Sequence, residues 1–242
     1  MATSTQTPQR TQAPSSVGMK ILMAVSGLYF ILFVLFHMYG NLKMFAGQQA
    51  FDEYAHHLRT ILEPILPYAG FLWIYRVTLI IAIGLHLYSA FVLWARANAA
   101  RDIKYSAKST VERSLSSKWM RWGGVAVLLF IIWHLIQFTI GKVNVNGAVS
   151  QNELLIDGVV SPYKLAVAAF QTPWMTIIYL IALLALGLHL HHGTWSAWQT
   201  LGWTNTAATR AGAITAGIVI AVVVAVGFAL PPLAILAGLI TL

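Results

Sequence analysis

Residues 19–42 read MKILMAVSGLYFILFVLFHMYGNL, a run in which Lys20 carries the only charge. At about 1.5 Å of rise per residue, a helix of that length crosses about 30 Å of hydrocarbon. The run outlasts the roughly 7–15-residue apolar core of a secretion signal, and no small-residue cleavage site follows it, so it is expected to persist as a membrane helix. Four further stretches are long and apolar enough to do the same: Tyr68–Ala95, Met120–Ile140, Thr172–Ala197 and Ala211–Leu230. The expected fold is therefore an all-α membrane protein, a bundle of five transmembrane helices. Composition agrees, with 58% hydrophobic and 9% charged residues and a mean hydropathy of +0.72, against about 25% charge in soluble domains. Cytosolic α/β enzymes and disordered scaffolds are excluded.

Residues 1–17 are polar and rich in Ser, Thr, Gln and Pro, and read as a flexible tail ahead of a membrane domain at 18–242. Pro231 and Pro232 are expected to stop or kink the last helix. Arg96, Arg101, Lys104, Lys108, Arg113, Lys118 and Arg121 gather between helices two and three, whereas the opposite loops hold Lys43, Arg59, Lys142 and Lys164 beside most of the acids. The positive-inside rule then puts the N-terminus in the cytoplasm and the C-terminus outside. A net charge of +8 is so read as membrane orientation, with no nucleic-acid partner. Segment 141–164, with two turn-like breaks and β-branched residues, predicts a small external hairpin or flap. No internal repeat suggests an inverted-repeat transporter.

The chain has no cysteine and eight histidines, so any metal must hang on imidazole or carboxylate. Four histidines fall one to a helix within the apolar runs: His37, His86, His134 and His189. An intramembrane imidazole has no water to bond and is treated as functional by default. Helices one and three run outward, which puts His37 and His134 roughly 20–25 Å from the cytoplasmic end. Helices two and four run inward, which puts His86 and His189 about 14–15 Å from it. Two pairs at two depths are what two six-coordinate haem irons stacked across a bilayer require. Gly27 and Gly124 each precede an outer histidine by ten residues and so lie near the inner level, where a porphyrin edge needs close backbone approach; ordinary helix packing is the competing explanation.

His192 lies about 60° around the helix from His189 and could face the same cofactor, while His191 points away; His189 is the preferred ligand and His192 the alternative. His56 and His57 fall in the external connection, as interfacial loop residues or as a redox-linked proton site. Glu63, just before Pro64 at the outer start of helix two, stands where protons could be exchanged with a quinone.

HMYGNL in the first helix, SSKWMRWGG leading to IIWH in the third and HLHHGTWSAWQTLG in the fourth resemble the single-chain, five-helix dihaem cytochrome b anchor of succinate:menaquinone oxidoreductases and fumarate reductases. The likeness spans roughly residues 18–230. It implies a multi-pass subunit of a bacterial plasma membrane that tethers a flavoprotein and an iron–sulfur subunit to the cytoplasmic face. Electrons would pass through two b-type haems to menaquinone near the outer one, and succinate and fumarate chemistry would belong to the flavoprotein. This chain would be enzymatic only as the quinone-reacting subunit. The family's axial pairs carry over onto His37 with His134 and His86 with His189. Anchors similar to those of Gram-positive bacteria place the fourth-helix ligand four residues before a Gly, as His189 stands before Gly193; a fumarate reductase branch has His directly before Gly, as His192 does. Arg121 matches a basic position of similar chains and could pair with a haem propionate, or serve only as a positive-inside charge. An intramembrane glutamate of some fumarate reductase anchors has no counterpart, since every Asp and Glu lies outside the apolar runs.

The competing reading from the residues alone is a haem-free proton channel or transporter that relays protons through the same histidines. A discontinuous helix or an intramembrane carboxylate would favour it, and the sequence offers neither.

Overall fold

The computed structural model describes residues 14–100 and 115–242. Among them, five helices are long and apolar enough to cross a membrane: α1 (Ser16–Leu42), α3 (Gly70–Ala99), α4 (Leu115–His134), α6 (Pro173–Thr200) and α7 (Ala207–Leu236). Two shorter helices, α2 (Gln48–Thr60) and α5 (Pro162–Phe170), join them, with a two-residue-per-strand hairpin of β1 (Leu155–Ile156) and β2 (Val159–Val160). The tail residues 1–13 and the loop cations Arg101, Lys104, Lys108 and Arg113 lie outside the described residues.

Local chemistry sets the helix ends. Ser15 caps α1 by accepting from the Gly18 amide, which starts the helix two residues inside the expected tail. Ser161 caps α5, with Pro162 in the first turn where no amide is needed. Thr206 and Thr209 cap α7 reciprocally. At its far end α4 passes into a π-helical turn, Leu135–Ile140, and α1 tightens into a 3-10 turn, Lys43–Ala46.

The core of the bundle lies around α6, which packs on α7, α4 and α1, while α1 also packs on α3 and α7. Outward faces carry Ile80, Leu129, Ile181 and Leu184, all exposed, an arrangement that is stable when lipid is the solvent. At the end where α1 and α4 finish and α3 and α6 begin, α2, α5 and the hairpin form a cap. Asp52 of α2 ties the cap together: its carboxylate accepts from Ser161 Oγ at 2.6 Å and from the Tyr163 amide at 3.1 Å. Tyr163 OH in turn donates to the Thr241 carbonyl at 3.3 Å. In the exposed turn beside α5, Ser150 donates to Glu153 from its hydroxyl and its amide and holds that carboxyl below its usual range.

Two expectations are corrected and a third is extended. Pro231 and Pro232 do not end the last helix, which continues to Leu236. Each proline lacks the amide that would meet a carbonyl four residues back, and both are buried within the bundle, where membrane helices tolerate proline. The connection holding His56 and His57 is not a loop but the helix α2, which packs on α5. Segment 141–164 does contain the expected hairpin, paired Leu155 to Val160 and Ile156 to Val159. Asp157 and Gly158 turn it with φ of 50° and 75°, the double positive φ of a type I′ turn. Beyond it stands a helix the periodicity did not suggest, α5, whose residues from Leu165 to Phe170 are all buried.

Candidate functional site

The four intramembrane histidines meet in two pairs. His37 of α1 faces His134 of α4 with ring centroids 5.8 Å apart and planes at 79°. His86 of α3 faces His189 of α6 at 6.3 Å and 58°. A direct imidazole–imidazole hydrogen bond, about 2.9 Å between nitrogens, would bring the centroids to about 5 Å. Two imidazoles bound on opposite sides of one metal, each nitrogen about 2.0–2.1 Å from it, have centroids roughly 6 Å apart. The His86–His189 spacing is close to the second value, and the His37–His134 spacing lies between the two.

The glycines fix the distance between the pairs. A Cβ on Gly27 would lie 3.6 Å from His86 Cε1, and one on Gly124 would lie 3.5 Å from His189 Cε1. Since Gly27 and Gly124 precede His37 and His134 by ten residues, the pairs are separated by about 15 Å along α1 and α4. The two backbones approach the imidazoles themselves.

One ring of each pair is oriented by a hydroxyl on a neighbouring helix. Ser26 Oγ lies 3.0 Å from His86 Nδ1 and already donates its proton to the Leu22 carbonyl at 2.7 Å. Its oxygen is thus left to accept from Nδ1–H. Tyr179 OH lies 3.4 Å from His134 Nδ1 and donates to Gln137 Oε1 at 2.8 Å, which leaves the phenol oxygen in the same accepting role. A ring protonated at Nδ1 presents a lone pair at Nε2, the form a metal needs. His37 has aromatic walls instead: Phe33 stacks on it at 5.3 Å, and Phe228 lies at 5.5 Å.

Buried polar atoms without a partner fall close to His134 and His189 in the sequence. Among the described residues they are Trp133 Nε1, Gln137 Nε2, His189 Nδ1, Thr194 Oγ1 and Trp195 Nε1, each within six residues of His134 or His189. Such atoms are costly unless something accepts from them. No group of three or more His, Cys, Asp or Glu able to hold a metal occurs among the described residues. A metal held by protein alone needs three or four donors; an axial pair needs two, because the macrocycle supplies the rest. The residues present therefore fit a bis-histidine haem better than a bare metal ion.

The other candidates take different places. His192 packs edge-on against Trp195 at 6.1 Å, and it is His189 that meets His86. His191 lies against Gly217 of α7. Arg121 donates to Asn98 Oδ1 at 3.3 Å and stands over the Trp94 ring at 5.5 Å, one helical turn before Gly124 and so just beyond the His86–His189 level. His57 and Glu63 are both exposed at the cap, and His56 lies beside Tyr68 at 6.3 Å.

Comparison of the chain with protein-family models, with curated proteins and with solved structures finds no match. Function is accordingly argued from the site.

Four participants escaped sequence reasoning. Gln137 and Arg76 carried a signal, being polar side chains inside apolar runs. Gln137 is fully buried, and Arg76, ten residues before His86 and so near the His37 level, rests its guanidinium over Trp73 at 5.0 Å. Ser26 and Tyr179 carried none, because their roles depend on how two helices are rotated against each other.

Proposed function

We propose that this chain is a dihaem cytochrome b membrane anchor of the succinate:menaquinone oxidoreductase and fumarate reductase kind. The observation that carries the reading is the meeting of four imidazoles, one from each of four spans, as α1 with α4 and α3 with α6 at centroid separations of 5.8 and 6.3 Å. His37 and His134 would be the axial ligands of one b haem, and His86 and His189 those of the other. A bis-histidine haem, when bound, takes up and releases one electron at a time with both axial positions closed to oxygen.

The chain's own residues account for the rest of the role. Ser26 and Tyr179 hold Nδ1 of His86 and His134 and keep Nε2 free. Gly27 and Gly124 let α1 and α4 pass close to the second pair. The unpartnered donors Trp133 and Trp195 and the guanidinium of Arg121 suit the carboxylates and carbonyls of bound anionic or quinone groups.

Charge placement supports a cytoplasmic N-terminus and an external C-terminus. On that reading the His86–His189 pair is the inner one and takes electrons from an iron–sulfur subunit. His37–His134 is the outer one, beside menaquinone. Exposed His57 and Glu63 at the cap are then the groups available for proton exchange with the quinone. Succinate and fumarate would be converted on a partner flavoprotein, both partners docking on the cytoplasmic face of a bacterial plasma membrane. The test is a reduced-minus-oxidised spectrum of the purified chain. Dithionite-reducible b-type absorption that a menaquinol also reduces is expected; a chain without it is no cytochrome.

A further inference from the structure

Gln137 is the least expected residue of the site. It is 0% exposed, sits in the π-helical turn that follows His134, and uses its amide oxygen to accept from Tyr179 OH at 2.8 Å. Its own backbone carbonyl is taken by the Val143 amide at 2.9 Å, so both ends of the residue are fixed. π-Turns of this sort are energetically poor and concentrate at functional positions. In a regular α-helix, position 137 would lie about 60° around the axis from His134, and the wider π-turn alters that rotation.

The phenol of Tyr179 has one proton and can give it to only one neighbour. With Gln137 as acceptor, the proton points away from His134, and the phenol oxygen accepts from Nδ1–H. Without Gln137, the phenol loses that acceptor, and its oxygen is held less firmly in place to accept from His134 Nδ1–H. We propose that Gln137, acting through Tyr179, is a positioning residue that holds the phenol oxygen on His134 Nδ1–H and strengthens His134 as an axial donor. The inference rests on the dihaem reading and deepens it by making the two haem sites chemically unequal: His86 is held by a serine bonded to its own helix, His134 by a buried three-residue chain.

Hydrogen bonding at the distal nitrogen raises ligand basicity, which favours the oxidised metal. Removing it should make one haem easier to reduce. The experiment is a spectroscopic redox titration of the complete chain and its variants. Tyr179→Phe and Gln137→Leu should each move one haem's redox equilibrium toward the reduced form, Tyr179→Phe by more than Gln137→Leu. The other haem should not move. In the Tyr179→Phe background, Gln137→Leu should add nothing, since its effect is transmitted by the hydroxyl already removed. Gln137→Met, close to glutamine in volume, carries the same test where Leu disturbs packing. Two haems that shift together, two that stay put, or a Gln137 effect that survives without Tyr179 overturns the inference while leaving the dihaem reading intact. A wild-type chain without haem overturns both.

Discussion

The imidazoles of His37 and His134 stand edge to face with centroids 5.8 Å apart, although 97 positions separate them in the chain. On the proposed dihaem reading, each would supply one ligand to the same haem. His37→Ala or His134→Ala should remove one haem and leave the other, and His86→Ala or His189→Ala should remove the second and spare the first. Haem content and resolved redox midpoints of the four variants check this. Loss of the same haem from all four would contradict the pairing.

His189 and His192 present the sharpest choice within one helix. His189 meets His86 at 6.3 Å, whereas His192 is engaged with Trp195. His192→Ala is expected to keep both haems, and His189→Ala to lose one. The reverse pattern would move the ligand one turn along α6.

Gly27 gives a graded test. A methyl group there meets His86 at an ordinary contact distance of 3.6 Å, so Gly27→Ala should be tolerated. The branches of valine reach about 1.5 Å further and would push into the ring. Gly27→Val should therefore lose the haem of the His86–His189 pair and retain that of His37–His134. Equal behaviour of the two variants would show that the close approach is incidental.

Asp52 makes a prediction about stability alone. Its carboxylate caps the start of α5 through Ser161 and Tyr163, and hydrogen bonds to a charged group contribute about 1.5–3 kcal/mol. Asp52→Ala should lower the midpoint of thermal unfolding with haem stoichiometry unchanged. Haem loss at ambient temperature would mean that the cap also shapes the site.

The five spans and the hairpin were legible because hydrophobic length and an Asp-Gly turn are local signals, carried by residues adjacent in sequence. Of the two outcomes expected at the proline pair, the stop does not occur, for an instructive reason. Pro231 and Pro232 break helices in water, where a freed carbonyl draws solvent, but between packed membrane helices the chain has no better conformation to adopt. α5 went unnoticed because nine residues are too few to span and too apolar to show an amphipathic stripe, yet Ser161 followed by Pro162 was a start signal in plain view. α2 follows Gly47 without a capping side chain; its signal was the helical spacing of Phe51, Tyr54, Ala55 and Leu58, which the reading of this connection as a loop passed over. The histidines could be assigned to levels by counting rises along helices. The hydroxyls of Ser26 and Tyr179 could not, because contact across helices depends on rotation about their axes, which residue spacing does not encode.

The central claim is that each imidazole pair encloses one iron porphyrin. Pyridine haemochrome quantification on the purified full chain tests it directly, and the account predicts two haems b per polypeptide. A value of zero, with the helices intact by circular dichroism, would contradict it.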